Sequence, residues 1–142
     1  MAKAANRAQN TAEMVRVGVV GHGVVGSAFT SLVARQQETI AARTGITLEV
    51  VRIAVRDAGK HPSRVGTAVV STDPLAVATA DDVDLVVEVM GGTALASDVI
   101  RTALEHGKPV VTANKALLAA QSADLFKIAD ERGIDLLFEA AV

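Results

Sequence analysis

The amino-acid sequence predicts an α/β fold with a doubly wound, mostly parallel sheet, and three observations carry that prediction. Short aliphatic runs alternate with longer helical patterns from Val15 to Phe138, as in a parallel sheet covered on both faces. Gly21, Gly23 and Gly26 form a G-x-G-x-x-G directly after the first apolar run and ahead of the first long helical pattern. Half of the 142 residues are apolar, yet only three are Phe and none is Trp or Tyr. The core must therefore be built mostly from Val, Leu, Ile and Ala, for which buried parallel strands are the natural place.

Taken in order, residues 1–14 are rich in Ala, Asn and Gln and carry Lys3 and Arg7. They lack the apolar stretch of a secretory signal or membrane span and read as a disordered tail. Residues 15–142 are long enough for one domain. Its first strand is expected over 15–20. A helix over 24–42 turns Phe29, Leu32, Val33 and Ile40 toward the sheet, with Gly45 as its stop.

A second strand over 48–55 precedes a loop punctuated by Gly59, Pro62 and Gly66, and a short third strand covers 68–71. Residues 84–90 form the fourth. Gly91, Gly92 and Thr93 then lead into a helix that reaches Glu105 or His106, with Gly107 just past its end. A fifth strand over 109–112, a helix over 115–132 and a sixth strand over 135–138 complete the pattern.

Composition excludes several function classes. A net charge of −2 without a Lys/Arg cluster argues against a nucleic-acid partner. The absence of Cys rules out disulfides, a cysteine nucleophile and thiolate metal sites, and suits a reducing cytoplasm. His22, His61 and His106 are too scattered for a zinc site. His22 reads as an occupant of a permissive position between two glycines, and His61 as a loop residue.

The glycine fingerprint between a strand and a helix makes this a Rossmann-like, dinucleotide-binding pattern. Gly21 allows a tight reversal, Gly23 allows close backbone approach to a pyrophosphate, and Gly26 brings helix and sheet together. Backbone N–H groups at Val24 and Val25 then face the phosphate charge. At the end of the second strand the pattern expects an acidic residue for the ribose hydroxyls. This chain has Arg56, then Asp57 and Lys60. Arg56 and Lys60 suit the 2′-phosphate of NADP(H), while Asp57 keeps NAD(H) open.

Further candidates fall at later strand ends. Met90 either packs beside the cofactor or fills the core. Gly91 and Gly92 permit close approach or only serve the turn, and Thr93 is positioned to cap the next helix. Lys115 at a helix start is opposed by the macrodipole, which favours a role as donor to a substrate oxygen over a surface lysine. Asn114 suits a helix cap or a cofactor contact. Glu88 inside an apolar strand needs a partner, structural or catalytic. Glu139 is placed for a hard cation or for ordinary polar capping.

Together, Gly21 to Gly26, Glu88 to Gly92, Thr112-Ala113-Asn114-Lys115 and Phe138 to Val142 resemble the N-terminal nucleotide-binding domain of homoserine dehydrogenase. The resemblance implies interconversion of L-homoserine and L-aspartate 4-semialdehyde by NAD(P)-dependent hydride transfer, in the biosynthesis of threonine and methionine. It implies a role for Lys115 in proton transfer, for Arg56 in NADP preference, and for Glu139 and the Val142 carbonyl in holding a sodium ion. It also implies a homo-oligomeric parent enzyme.

One departure is the stretch from Gly92 to Ala96, where relatives often carry a Pro before the matching Ala, which leaves the helix start less rigid. The family pattern continues into dimerisation and substrate domains, so the chain alone is expected to bind cofactor without efficient turnover and to expose apolar edges. The alternative is a free-standing NAD(P)-binding sensor without catalysis.

Overall fold

The computed structural model describes residues 12–138. Strand β1 (Glu13–Val20) leads into α1 (Val24–Thr44) and β2 (Ile46–Ala54). A 3-10 turn (Ala58–Lys60) and the two-residue β3 (Arg64–Val65) precede β4 (Ala68–Ser71) and α2 (Pro74–Thr79). The chain continues through β5 (Leu85–Glu88), α3 (Ala94–Glu105), β6 (Val110–Thr112), α4 (Lys115–Arg132) and β7 (Leu136–Phe138).

The strands form one sheet in the order β3-β4-β2-β1-β5-β6-β7. Every neighbouring pair is parallel except the edge pair β3–β4. From β1 the chain winds outward through β2 to β4, then crosses back to β5 on the other side of β1. That reversal opens a crevice beyond the C-terminal ends of β1 and β5.

Register gives each face its character. Val70, Ile53, Val19, Val87, Val111 and Leu137 line up across six strands, and Phe29 of α1 packs against the core cluster on this face that contains Val17, Val19 and Ile53. The next row, Ser71, Ala54, Val20, Glu88, Thr112 and Phe138, faces the opposite way. There α2, α3 and α4 contribute Val77, Ile100, Leu104, Leu117 and Leu125 to the larger core.

Local signals explain the helix ends. Gly45 adopts φ +73° and closes α1, and Gly107 adopts the same φ beyond α3. Asn114 caps α4 by accepting from the Leu117 N–H at 3.1 Å. Asp73 caps α2 by accepting from the Ala76 N–H at 3.0 Å, and Pro74 supplies its first residue.

The structure departs from the sequence expectations at several points, among them β2, which begins at Ile46 rather than 48, and β5, which ends at Glu88 rather than 90. The first strand begins at Glu13, two residues ahead of the expected start, because β1 pairs with β2 from Glu13 onward. Both α2 and β3 are additional to the expected elements. Leu32 is 50% exposed and does not cover the sheet. Thr93 occupies the cap position of α3 without a side-chain cap bond; its carbonyl accepts from the Ser97 N–H instead. Leu137 and Phe138 of β7 are 56% and 48% exposed. No helix among the described residues is long and apolar enough to cross a membrane.

Glu88 is fully buried in the middle of the sheet's final row. Its Oε1 accepts from the Met90 N–H at 2.9 Å, and its Oε2 accepts from the Thr112 hydroxyl at 2.5 Å. Burial pushes its pKa up, opposed by these two hydrogen bonds.

Two stability predictions follow from this packing. Leu104→Ala, at a fully buried site, should cost about 2–5 kcal/mol in denaturant unfolding. A raised folded-state pKa gives Glu88 a contribution that is present below the ordinary carboxylate range and lost as pH rises through its folded value. Glu88→Gln should therefore gain stability relative to the parent chain as pH rises through that window. A relative loss over the same window would contradict the assignment.

Candidate functional site

A crevice of about 740 Å³ lies at the strand-order reversal. Its wall is drawn from the ends of β1, β2, β4 and β5, and it brings together Gly21, Gly23, Arg56, Lys60, Met90, Gly91 and Thr93. Residues far apart in sequence thus share one concave surface at the C-terminal edge of a parallel sheet, the usual ligand position in such folds.

The glycines differ in what they do. Gly21 adopts φ +100°, and a Cβ there would stand 2.8 Å from the Met90 backbone nitrogen. Its own N–H donates to the Ala54 carbonyl at 2.9 Å. A Cβ on Gly26 would fall on the Gly21 carbonyl, so α1 leaves the turn closer to the strand than any other residue permits. Gly23 is the cap residue of α1, makes no side-chain cap bond, and would point a Cβ into open space.

The first N–H groups of a helix have no intrahelical acceptor. At α1 they follow directly on Gly23, which lines the crevice without a side chain, and a helix start so placed suits an anionic group such as a pyrophosphate. Val24 and Val25 begin the helix with side chains 89% and 58% exposed. Neither they nor Gly26 is part of the crevice wall, which meets α1 at its cap residue Gly23.

On the β2 side, Asp57 spends one carboxylate oxygen on the Gly59 N–H, at 2.9 Å, capping the 3-10 turn. Its other oxygen faces Lys60 Nζ at 4.0 Å. Both side chains remain largely solvent-exposed, so this pair is weak and Lys60 stays able to reach an anion. Arg56 is exposed on the same wall.

His22 and His61, assigned no ligand role from sequence, also line the crevice. Their rings meet edge to face with centroids 5.8 Å apart. His22 Nε2 lies 2.9 Å from Thr30 Oγ1, a hydroxyl that already donates to the Ser27 carbonyl, which makes the imidazole the donor. Burial, and then the nearby His61, lower the His22 pKa. No motif spacing links these two histidines, since the loop after β2 must fold back over the glycine turn to bring them together.

The β5 and β6 ends are joined through the buried carboxylate. Glu88 holds the Met90 N–H and the Thr112 hydroxyl; Thr112 Oγ1 in turn accepts from the Asn114 N–H at 3.0 Å. Asn114 Nδ2 donates to the Gly92 carbonyl at 2.5 Å while its Oδ1 caps α4. Lys115, the first residue of α4, is exposed beside this network and is not on the crevice wall. Glu139 and Val142, the expected cation ligands, lie outside the described residues, as do residues 1–11 of the expected tail.

Comparison with known proteins agrees with this geometry. The family model described as homoserine dehydrogenase, NAD binding domain, matches residues 21–139. The homoserine dehydrogenase of Corynebacterium glutamicum is 41% identical over 137 residues, covering 96% of this chain and 31% of that protein. That of Pseudomonas aeruginosa is 41% identical over 128 residues, covering 90% and 29%.

Among solved structures, a homoserine dehydrogenase from Thiobacillus denitrificans superposes with a TM-score of 0.84 at 37% identity, over 92% of this chain and 30% of that one. The S. aureus homoserine dehydrogenase at pH 7.5 gives 0.82 at 34% identity, over 92% and 33%. The chain thus spans about a third of the length of the curated relatives it matches. With the glycine turn, the sheet order and the family match in agreement, the chain belongs to the homoserine dehydrogenase NAD-binding-domain family.

Proposed function

We propose that the crevice binds NADP(H) in preference to NAD(H), and that the chain is the cofactor-binding part of an enzyme interconverting L-homoserine and L-aspartate 4-semialdehyde. The observation that carries this reading is the convergence of the glycine turn that ends in the α1 cap residue Gly23, the Arg56 and Lys60 wall and the Gly91–Gly92 turn on one crevice. When bound, the nicotinamide supplies or accepts the hydride.

In this reading the α1 N-terminus holds the pyrophosphate, while Arg56 and Lys60 reach the adenosine 2′-phosphate. Met90, Gly91 and Thr93 border the nicotinamide half, where Met90 excludes water and the glycine admits close approach. Lys115 donates to the substrate oxygen as it becomes a hydroxyl and takes the proton back in the reverse direction. Glu139 and the Val142 carbonyl would hold a sodium ion, a donor set of hard oxygens suited to such a cation. A homo-oligomeric parent, a cytoplasmic location and a place in threonine and methionine biosynthesis belong to the same proposal, with neither nucleic acid nor membrane as partner.

Calorimetric titration of Arg56→Ala tests the cofactor assignment. Loss of one exposed charge-assisted contact should weaken NADPH by about tenfold and leave NADH nearly unchanged. Equal losses for both dinucleotides would contradict the selective role of Arg56.

A further inference from the structure

We propose that His61, held edge-on against His22, is a third cationic group of the wall that discriminates the adenosine 2′-phosphate, making cofactor preference depend on pH. This inference rests on the NADP(H) reading above. Its geometric basis is independent of the Arg56 argument: the 3-10 turn ends at Lys60, and the next residue, His61, is half-buried against the glycine turn. Arg56, Lys60, His61 and His22 thereby line one crevice, with Asp57 as the acidic side chain on the same wall.

The two rings have different tasks. His22 is committed to Thr30, and its lowered pKa keeps it neutral to more acidic pH than an ordinary histidine. It therefore serves as the surface on which the His61 ring rests. The His61 ring lines the crevice and makes no side-chain hydrogen bond among the described residues, which leaves its nitrogens to meet a ligand. Asp57 is engaged by the Gly59 N–H and Lys60, so a proton gained by His61 adds charge toward the same anion that Arg56 and Lys60 address. Histidine is the side chain that makes such a change between about pH 5 and pH 8. NAD(H), lacking the 2′-phosphate, gains little from it.

The test compares NADPH and NADH affinities by calorimetry for the parent chain, His61→Gln and His61→Arg, at about pH 8 and about pH 6.5, which bracket the histidine range. The 2′-phosphate itself titrates at about pH 6, a contribution common to all three proteins, so differences between them isolate residue 61. On acidification the NADPH-to-NADH affinity ratio of the parent should rise by about two- to fivefold relative to His61→Gln, the size of one exposed charge contact. His61→Arg should hold a high ratio at both pH values.

An NADPH preference with the same pH response in the parent and His61→Gln would overturn the role of His61 and leave the Arg56 reading standing. No NADPH preference at either pH would overturn both.

Discussion

The close approach between Gly26 and the Gly21 carbonyl sets the geometry on which the rest of the site depends. A side chain at position 26 would collide with that carbonyl, and one at position 21 would collide with the Met90 backbone. The two glycines therefore draw α1, the end of β1 and the end of β5 together at the point where strand order reverses. Gly23, between them and ahead of α1, lines the crevice and leaves the approach clear. The constraint is steric at two positions and permissive at the third.

A second layer of order comes from a buried carboxylate. Glu88 cannot be solvated where it sits, so its oxygens are satisfied by the backbone after β5 and by Thr112 of β6. Through Thr112 the bonding reaches Asn114, which returns to Gly92 and caps α4. The Gly91–Gly92 turn and the start of α4 are thereby held in fixed relation without any side chain of the wall being used. A polar network in an apolar sheet is costly unless complete, and among the described residues no buried side-chain polar atom lacks a partner. The wall side chains Arg56 and Lys60 remain exposed for a ligand.

Much of this was legible in the sequence because its signals are local. The bounds of α4 follow from Asn114 before it and Gly133 after it, and Gly45 and Gly107 mark stops by their need for positive φ. The glycine fingerprint located the site because its spacing encodes the turn directly. Helix α2 was equally local, signalled by Asp73 and Pro74, but its six residues are too few to show a periodic face. Strand β3 has two residues and exists through antiparallel pairing with β4, which no single-segment pattern reports. Leu32 falls outside the buried face because α1 packs over a narrow stripe, with Gly26, Thr30 and Val33 buried. The Glu88 partners and the His22–His61 contact depend on register and loop folding, and so became visible in three dimensions only.

The central claim is that a dinucleotide binds in the crevice at the strand-order reversal. The most direct measurement is a heteronuclear NMR titration of the isotopically labelled chain with NADPH. The account predicts that the largest amide shifts occur in the glycine turn from Gly21 to Gly26, at Arg56 through His61, and at Met90 through Thr93. Shifts centred instead on the separate groove between α1 and β2, around Ser31, Gln37 and Thr67, would contradict it.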